Sequence, residues 1–136
     1  MLDRQTIADV LTKCNSDKET THGYANQYVE VFKNNPKTLL EIGVLNGYSL
    51  LAWSKLLPDC KITGVDISVA QLTQAMKHLE NYIQAGRVDL KLGDLKKINI
   101  EKNYFDGAFI CWLLEHVRDP LGLLKDIRVH LKKNAV

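Results

Sequence analysis

A glycine-containing turn and two carboxylates at the ends of apolar runs are the residues of this chain most able to do chemistry. Glu41 lies in the apolar run TLLEIG, which opens a turn with glycines at Gly43 and Gly47. Asp66 ends a second apolar run, ITGVD, about twenty residues later. In an open parallel sheet, ligands bind beyond the carboxyl ends of the strands, where the second strand presents an acid to a ribose. The spacing therefore predicts a pocket for a nucleotide-type cofactor.

The residues of the turn limit which cofactor this pocket can hold. A dinucleotide site needs a glycine at the second position so that the backbone can approach a pyrophosphate, and that position holds Leu45. No lysine follows, as a phosphate-binding loop would require. The carboxylate of Glu41 would repel a pyrophosphate, but it suits a ligand that carries an ammonium and a sulfonium, directly or through a water. S-Adenosylmethionine has both cations, a ribose and an adenine, and is favoured over NAD.

Four consecutive strand ends resemble those of the class I S-adenosylmethionine-dependent methyltransferases. The segment from Glu41 to Gly47 matches the family's first motif, E/D-x-G-x-G-x-G, except that Leu45 replaces the middle glycine. Asp66 matches the acid that binds the ribose hydroxyls, and Asp94 in LKLGDL is similar to the acid that meets the adenine amino group. The run FDGAFICWLLEHVRDP is similar to the family's F-D-x-V and L-x-H-V box. The resemblance implies S-adenosyl-L-methionine as the methyl donor and S-adenosyl-L-homocysteine as the product.

The resemblance also implies which residues surround the donor and the acceptor. The implied cofactor contacts are Glu41, Gly43, Leu45, Gly47, Asp66, Ile67, Asp94, Leu95, Cys111 and Trp112. Trp112 either packs on the adenine or roofs the pocket, or else is an ordinary packing residue; Cys111 either borders the cofactor or is a small buried residue. His116 is the candidate catalytic base, since an imidazole titrates near neutral pH. The alternative for His116 is a structural histidine, because methyl transfer often needs only alignment of donor and nucleophile.

Strand and helix patterns alternate after residue 37 and predict an α/β fold with an open parallel sheet flanked by helices. The predicted strands are 38–42, 61–65, 88–92 and 105–110, and the resemblance implies a Rossmann-like sheet with the order 3-2-1-4. The predicted helices run over 49–57, from a cap at Ser68 to Gly86, and from about Pro120. Their predicted core residues are Leu72, Ala75, Met76, Leu79 and Ile83 on the second helix and Leu124, Ile127 and Leu131 on the third.

Residues 1–36 are predicted to form an N-terminal helical cap, and residues 37–136 a cofactor-binding Rossmann-like domain. The helical spacings in the cap are Ile7, Val10, Leu11 and Cys14, followed by Tyr24, Tyr28, Val31 and Phe32. Between them, residues 16–24 are similar to an S-D-K-G-T-x-H-x-Y stretch found before the cofactor domain in some natural-product methyltransferases. The similarity suggests that this loop folds across the cofactor. The alternative is a polar linker with Asp17 or Thr21 as a helix cap.

The family's sheet usually has seven strands, whereas the fourth predicted strand is the last one in this chain. The resemblance therefore implies a domain that is incomplete at its C-terminus. Strand four would be an apolar edge, which predicts self-association or dependence on a partner. Two functions follow as expectations. One is a methyltransferase acting on a small-molecule acceptor, and the other is a noncatalytic S-adenosylmethionine-binding fragment or subunit that a partner completes.

Composition gives no reason to expect a polyanionic partner or a membrane. The net charge is +2 with 25% charged residues, and the lysines are interspersed or terminal, so no nucleic acid is expected. No apolar run reaches the length of a membrane span and the N-terminus lacks a signal-peptide core, so a cytoplasmic location is expected. The three cysteines form no C-x-x-C pair, so neither a disulfide framework nor a metal site is expected.

Overall fold

Four parallel strands form one open sheet: β1 (Thr38–Ile42), β2 (Lys61–Asp66), β3 (Val88–Leu92) and β4 (Gly107–Ile110). The computed structural model describes all residues from Met1 to Val136 and orders the strands β3-β2-β1-β4. All five residues of β1 are buried, as expected of a central strand covered on both faces. The predicted α/β class and strand order are confirmed.

Six α-helices flank the sheet: α1 (Arg4–Lys13), α2 (Asp17–Thr20), α3 (Ala25–Phe32), α4 (Tyr48–Leu56), α5 (Val69–Gln84) and α6 (Pro120–His130). A short 3₁₀ turn, Leu114–His116, follows β4. The side chains of Asp3, Ser68 and Asp119 accept a backbone N–H from the first turns of α1, α5 and α6. Each cap satisfies a donor that the start of a helix leaves unpaired. None of the helices combines the length and apolar character needed to cross a membrane.

Two apolar cores lie on opposite faces of the sheet, because side chains along a strand alternate between the faces. Leu39 belongs to the larger core, which the sheet shares with α1, α3, α4 and α5. Leu40 belongs to the smaller core, which the sheet shares with α6. Glu41 is two residues beyond Leu39 and therefore lies on the same face, toward the N-terminal helices.

Some side chains predicted to be core residues are exposed. Met76 is 54% exposed and Leu124 is 42% exposed. Met76 lies at the margin of the stripe formed by Leu72, Ala75 and Leu79, which are buried against the sheet and its helices. The apolar spacing identified the buried stripe of the helix, but this stripe is narrower than the spacing suggests.

The predicted bounds of the fourth strand and the last helix also need correction. β4 begins at Gly107, and Phe105 makes only an isolated bridge, with Leu131. Leu131 follows the end of α6 and is not part of its apolar face. Beyond it, the Val136 N–H donates to the Asp106 carbonyl at 3.0 Å and the Ala108 N–H donates to the Val136 carbonyl at 2.9 Å. The last residues therefore cover the beginning of the outer edge of β4.

The polar run between α1 and α3 contains the helix α2, and Ser16 caps it rather than Asp17 or Thr21. The Ser16 hydroxyl accepts the N–H of Lys18, and both residues are almost fully buried. The carboxylate of Glu19 accepts hydrogen bonds from the Arg4 guanidinium at 2.8 Å and from the Ala25 N–H at 3.1 Å. Glu19 therefore ties α2 to both neighbouring helices.

Candidate functional site

A cleft of about 450 Å³ opens at the carboxyl ends of β1, β2 and β4. Seven of the sequence-predicted site residues line it: Glu41, Gly43, Leu45, Asp66, Cys111, Trp112 and His116. This volume is within the range of small-molecule sites. The location is the one at which open α/β sheets bind their ligands.

The turn from β1 to α4 is built from three residues in the left-handed conformation. Gly43, Leu45 and Gly47 have φ angles of 82°, 53° and 84°. A Cβ at Gly47 would lie 2.9 Å from the Cα of Ala75 on α5, so a glycine here lets the start of α4 approach α5. Gly47 is not among the residues that line the cleft. Its close approach to Ala75 on α5 indicates that it determines the shape of the turn without facing the cleft.

Asp66 holds the turn against the end of β2. Its Oδ2 accepts the N–H of Val44 at 2.9 Å and that of Leu45 at 3.3 Å, and its Oδ1 accepts the N–H of Ser68 at 2.9 Å. A carboxylate has about four acceptor positions, so Oδ1 keeps one lone pair for a ligand. Asp66 therefore borders the cleft and also supports its glycine turn.

Glu41 is the least satisfied polar side chain of the site. It is only 4% exposed, and its Oε2 has no hydrogen-bond partner in the protein. Burial raises the pKa of the Glu41 carboxyl to about 7, against the opposing effects of the Lys18 ammonium and the nearby Trp53 indole. A buried, incompletely paired carboxylate on a residue that lines a cleft is suited to a ligand with a donor or a positive charge.

The predicted adenine contact, Asp94, and the predicted cofactor contacts Ile67 and Leu95 do not line the cleft. The Oδ1 of Asp94 accepts the N–H of Lys96 at 3.0 Å, which forms a local turn at the exposed surface. Leu95 is buried in the smaller core at 5% exposure, whereas Ile67 is 79% exposed. These three residues follow β2 and β3, outside the walls of the cleft.

The segment after β4 contributes Cys111 and Trp112 to the cleft wall. Burial raises the pKa of the Cys111 thiol, so this side chain stays a neutral thiol. Trp112 is 54% exposed, and its φ of 57° is unusual for an aromatic residue. Its ring centroid lies 5.2 Å from that of His22, which stacks on Tyr24. An aromatic group formed by His22, Tyr24 and Trp112 therefore joins the N-terminal segment to the segment after β4.

His116 lies at the rim of the cleft. Its side chain is 71% exposed, and its Nε2 is 3.3 Å from the Oε1 of Glu115. No group of three or more histidine, cysteine, aspartate or glutamate side chains is placed to hold a metal ion.

Several lining residues were not among the predicted site residues: Asn15, Ser16, Asp17, Lys18, Val44, Asn46, Tyr48, Ser49 and Leu113. The first four come from the N-terminal segment, which forms part of the cleft wall. The S-D-K similarity was the sequence signal for Ser16, Asp17 and Lys18, but it did not indicate which of these side chains are buried. The packing of α2 decides this.

A family model described as a methyltransferase domain matches residues 40–136. The chain is 29% identical over 115 residues to the ubiquinone biosynthesis O-methyltransferase of Histophilus somni (strain 2336), covering 81% of this chain and 48% of that protein. It is 30% identical over 95 residues to the tRNA U34 carboxymethyltransferase of Nautilia profundicola, covering 70% of this chain and 31% of that protein. The chain thus spans less than half the length of these two curated relatives.

Among solved structures, the chain is similar to the N-terminal domain of EvdMO1, which was determined with SAH bound. The TM-score is 0.63 at 25% identity, and the similarity covers 93% of this chain and 61% of that one.

Proposed function

We propose a function on the premise that this chain belongs to the family of methyltransferase domains, as the match over residues 40–136 shows. The proposed function is that of an S-adenosyl-L-methionine-dependent methyltransferase, which transfers a methyl group to a small-molecule acceptor. The observation that carries the proposal is the buried carboxylate of Glu41, a residue that lines the cleft and whose Oε2 has no hydrogen-bond partner in the protein. A buried acceptor without a partner is costly, and a cationic ligand would satisfy it.

The residues around the cleft fit a cofactor with a cationic amino-acid end and a ribose. Glu41 would receive the ammonium group, and the free lone pair of Asp66 Oδ1 would accept one ribose hydroxyl. Gly43 and Leu45 would present backbone to the methionine part. Asp94 stays the proposed contact of the adenine, and Ile67 and Leu95 stay proposed contacts of the cofactor, beyond the part of the site that the cleft defines. The similarity to a domain that binds SAH supports this assignment.

The chain's own contribution to the reaction is mostly alignment. The bound cofactor supplies a methyl group on a sulfonium. Methyl transfer is an in-line displacement, so holding the acceptor opposite that group lowers the barrier. Trp112 and α2 border the cleft and would limit the access of water. His116 at the rim would accept the acceptor's proton as its nucleophile attacks.

The class of acceptor is argued from the charges at the cleft. Lys18 is the only lysine or arginine among its lining residues, and it is buried. Binding of an RNA backbone depends on several exposed cations. The relative from Histophilus somni, named for ubiquinone biosynthesis, favours a small acceptor, whereas the relative from Nautilia profundicola is named for tRNA.

Calorimetric titration with S-adenosyl-L-homocysteine tests the cofactor, with NAD as the control ligand. We expect saturable binding near 1:1 for S-adenosyl-L-homocysteine and none for NAD. A folded sample that does not bind S-adenosyl-L-homocysteine would refute the proposal.

Transfer of a radiolabelled methyl group from S-adenosyl-L-methionine tests the acceptor. Parallel reactions would contain a small-molecule cell extract or bulk tRNA. Label in the small-molecule fraction alone is expected, and label in tRNA would refute the acceptor class. Cofactor binding with no label in either fraction would favour a noncatalytic subunit.

We also propose that this chain is cytoplasmic and that it associates with itself. On the outer edge of β4, the Ala108 N–H donates to the Val136 carbonyl, and the backbone of Ile110 lies further along the same edge, where another chain could pair with it. We expect concentration-dependent dimers in sedimentation velocity at micromolar concentration. A single monomer species over the whole range would contradict this expectation.

A further inference from the structure

Lys18 is a buried cation without an anionic partner. It is 5% exposed, and its ammonium forms none of the ion pairs of the protein. Lysine is rarely this buried unless it is paired. Lys18 also lines the cleft, so a bound ligand can reach its ammonium.

Lys18 and Glu41 border the same cleft with opposite charges. The Lys18 ammonium is near enough to stabilise the anionic form of Glu41, but the two side chains are not within the 4.0 Å of a salt bridge. Neither side chain forms a salt bridge within the protein, and both residues line the cleft. Such a pair complements a group that carries a carboxylate and an ammonium, which is the free amino-acid end of a ligand.

The position of Lys18 is fixed by the contacts of α2. Ser16 caps this helix, and Glu19 links it to Arg4 on α1 and to the start of α3. Because α2 is held from both sides, Lys18 loses less conformational entropy when a ligand binds. The N-terminal segment would thus supply one of the two charged side chains, Lys18, that meet this end of the cofactor.

We propose that Lys18 binds the carboxylate of the cofactor's amino-acid end, while Glu41 binds its ammonium. This inference rests on the proposed function. It assigns to the N-terminal helical layer a role in selecting a cofactor with an intact amino acid. The competing explanation is that Lys18 only offsets the buried charge of Glu41.

The test compares two ligands that differ in the amino-acid end. S-Adenosyl-L-homocysteine has this end, whereas 5′-methylthioadenosine keeps the nucleoside and the sulfur without it. We expect Lys18→Met to weaken S-adenosyl-L-homocysteine binding about tenfold or more in calorimetry, and to leave 5′-methylthioadenosine binding unchanged. Lys18→Arg should retain most of the affinity. Lys13→Met, on the exposed surface of α1, is the matched control and should change neither ligand.

A measurement on the unaltered protein covers the case in which Lys18→Met does not fold. Decarboxylated S-adenosylmethionine lacks only the carboxylate, so it should bind about tenfold or more weakly than S-adenosylmethionine. Equal affinity for these two would overturn the inference. If folded Lys18→Met loses the same affinity for S-adenosyl-L-homocysteine and for 5′-methylthioadenosine, the inference is also overturned, since an equal loss indicates a structural role. If the unaltered protein binds 5′-methylthioadenosine and S-adenosyl-L-homocysteine equally, only this inference fails; if it binds neither, the proposed function fails too.

Discussion

Two carboxylates at opposite ends of the same sheet have opposite environments. Glu41 at the carboxyl end of β1 is buried with an unpaired oxygen, and burial raises its pKa to about 7. Asp106 lies near the amino end of β4. It accepts the N–H groups of Lys37 and Thr38 at 2.8 and 3.0 Å, and the ammonium of Lys132 at 2.7 Å. Burial alone would raise the pKa of Asp106, but these hydrogen bonds outweigh it and lower that pKa.

The contrast separates a carboxylate that stabilises the fold from one that is available to a ligand. Asp106 joins the starts of β1 and β4, and its hydrogen bonds are made within the protein. Glu41 is kept buried at a cost in stability, which a bound cation would offset. Asp66 is intermediate, because it supports the turn and still faces the cleft.

The largest expected effect is in Glu41→Gln and depends on pH. The pKa of Glu41 is higher in the folded than in the unfolded chain, so ionisation costs nothing below about pH 4.5 and reaches its full cost above pH 7. We expect the variant and the original protein to be similarly stable at pH 5, and the variant to be more stable by up to about 3 kcal/mol at pH 8. Urea unfolding at both pH values measures this difference, and equal stability at pH 8 would contradict the unpaired state of Glu41.

Asp106→Ala should show the reverse behaviour. Its loss leaves the backbone donors at the start of β1 without their acceptor, which should cost about 2 kcal/mol at pH 7. Because the pKa of Asp106 is lowered by folding, this contribution is lost as pH falls through the acid range. Urea unfolding at pH 7 checks the loss, and unchanged binding of S-adenosyl-L-homocysteine checks that this end of the sheet is structural.

Asp66→Asn should affect stability and binding together. Asn has one acceptor oxygen and cannot accept all three N–H groups that Asp66 holds, so we expect a loss of about 1 kcal/mol in stability. Affinity for S-adenosyl-L-homocysteine should fall by about tenfold if the ribose bonds this carboxylate. Chemical unfolding and calorimetry on one preparation separate the two effects. Lost stability with full affinity would remove Asp66 from the binding site.

Leu45→Gly is expected to have the smallest effect. Leu45 has a φ of 53°, which costs a residue with a Cβ about 1 kcal/mol or more. Glycine removes that strain but adds freedom to the unfolded chain, so the net change should be below about 1 kcal/mol. Thermal unfolding measures it. A large loss of stability would mean that the Leu45 side chain makes contacts beyond its 59% exposed position.

Local sequence predicted the strands, their order and the turn, because these depend on short-range patterns and on rules of parallel sheets. The apolar run before Gly43 and the acid after the second run fixed where a cleft would open. The bounds of β1 and β3 were predicted correctly for the same reason. Periodicity was less informative for Met76, since it gives the direction of a side chain and not whether another element covers it.

The sequence by itself determined an α/β fold with a nucleotide-type cleft at the ends of β1 and β2. Only the tertiary structure decided which charged groups in that cleft are satisfied. Asp66 and Asp94 look alike in sequence, yet one supports the cleft and the other caps a turn outside it. Lys18 is in a polar run that resembles a surface linker, and α2 buries it opposite Glu41. Satisfaction of a polar group depends on partners distant in the chain, and their positions follow from packing, which short-range patterns do not encode.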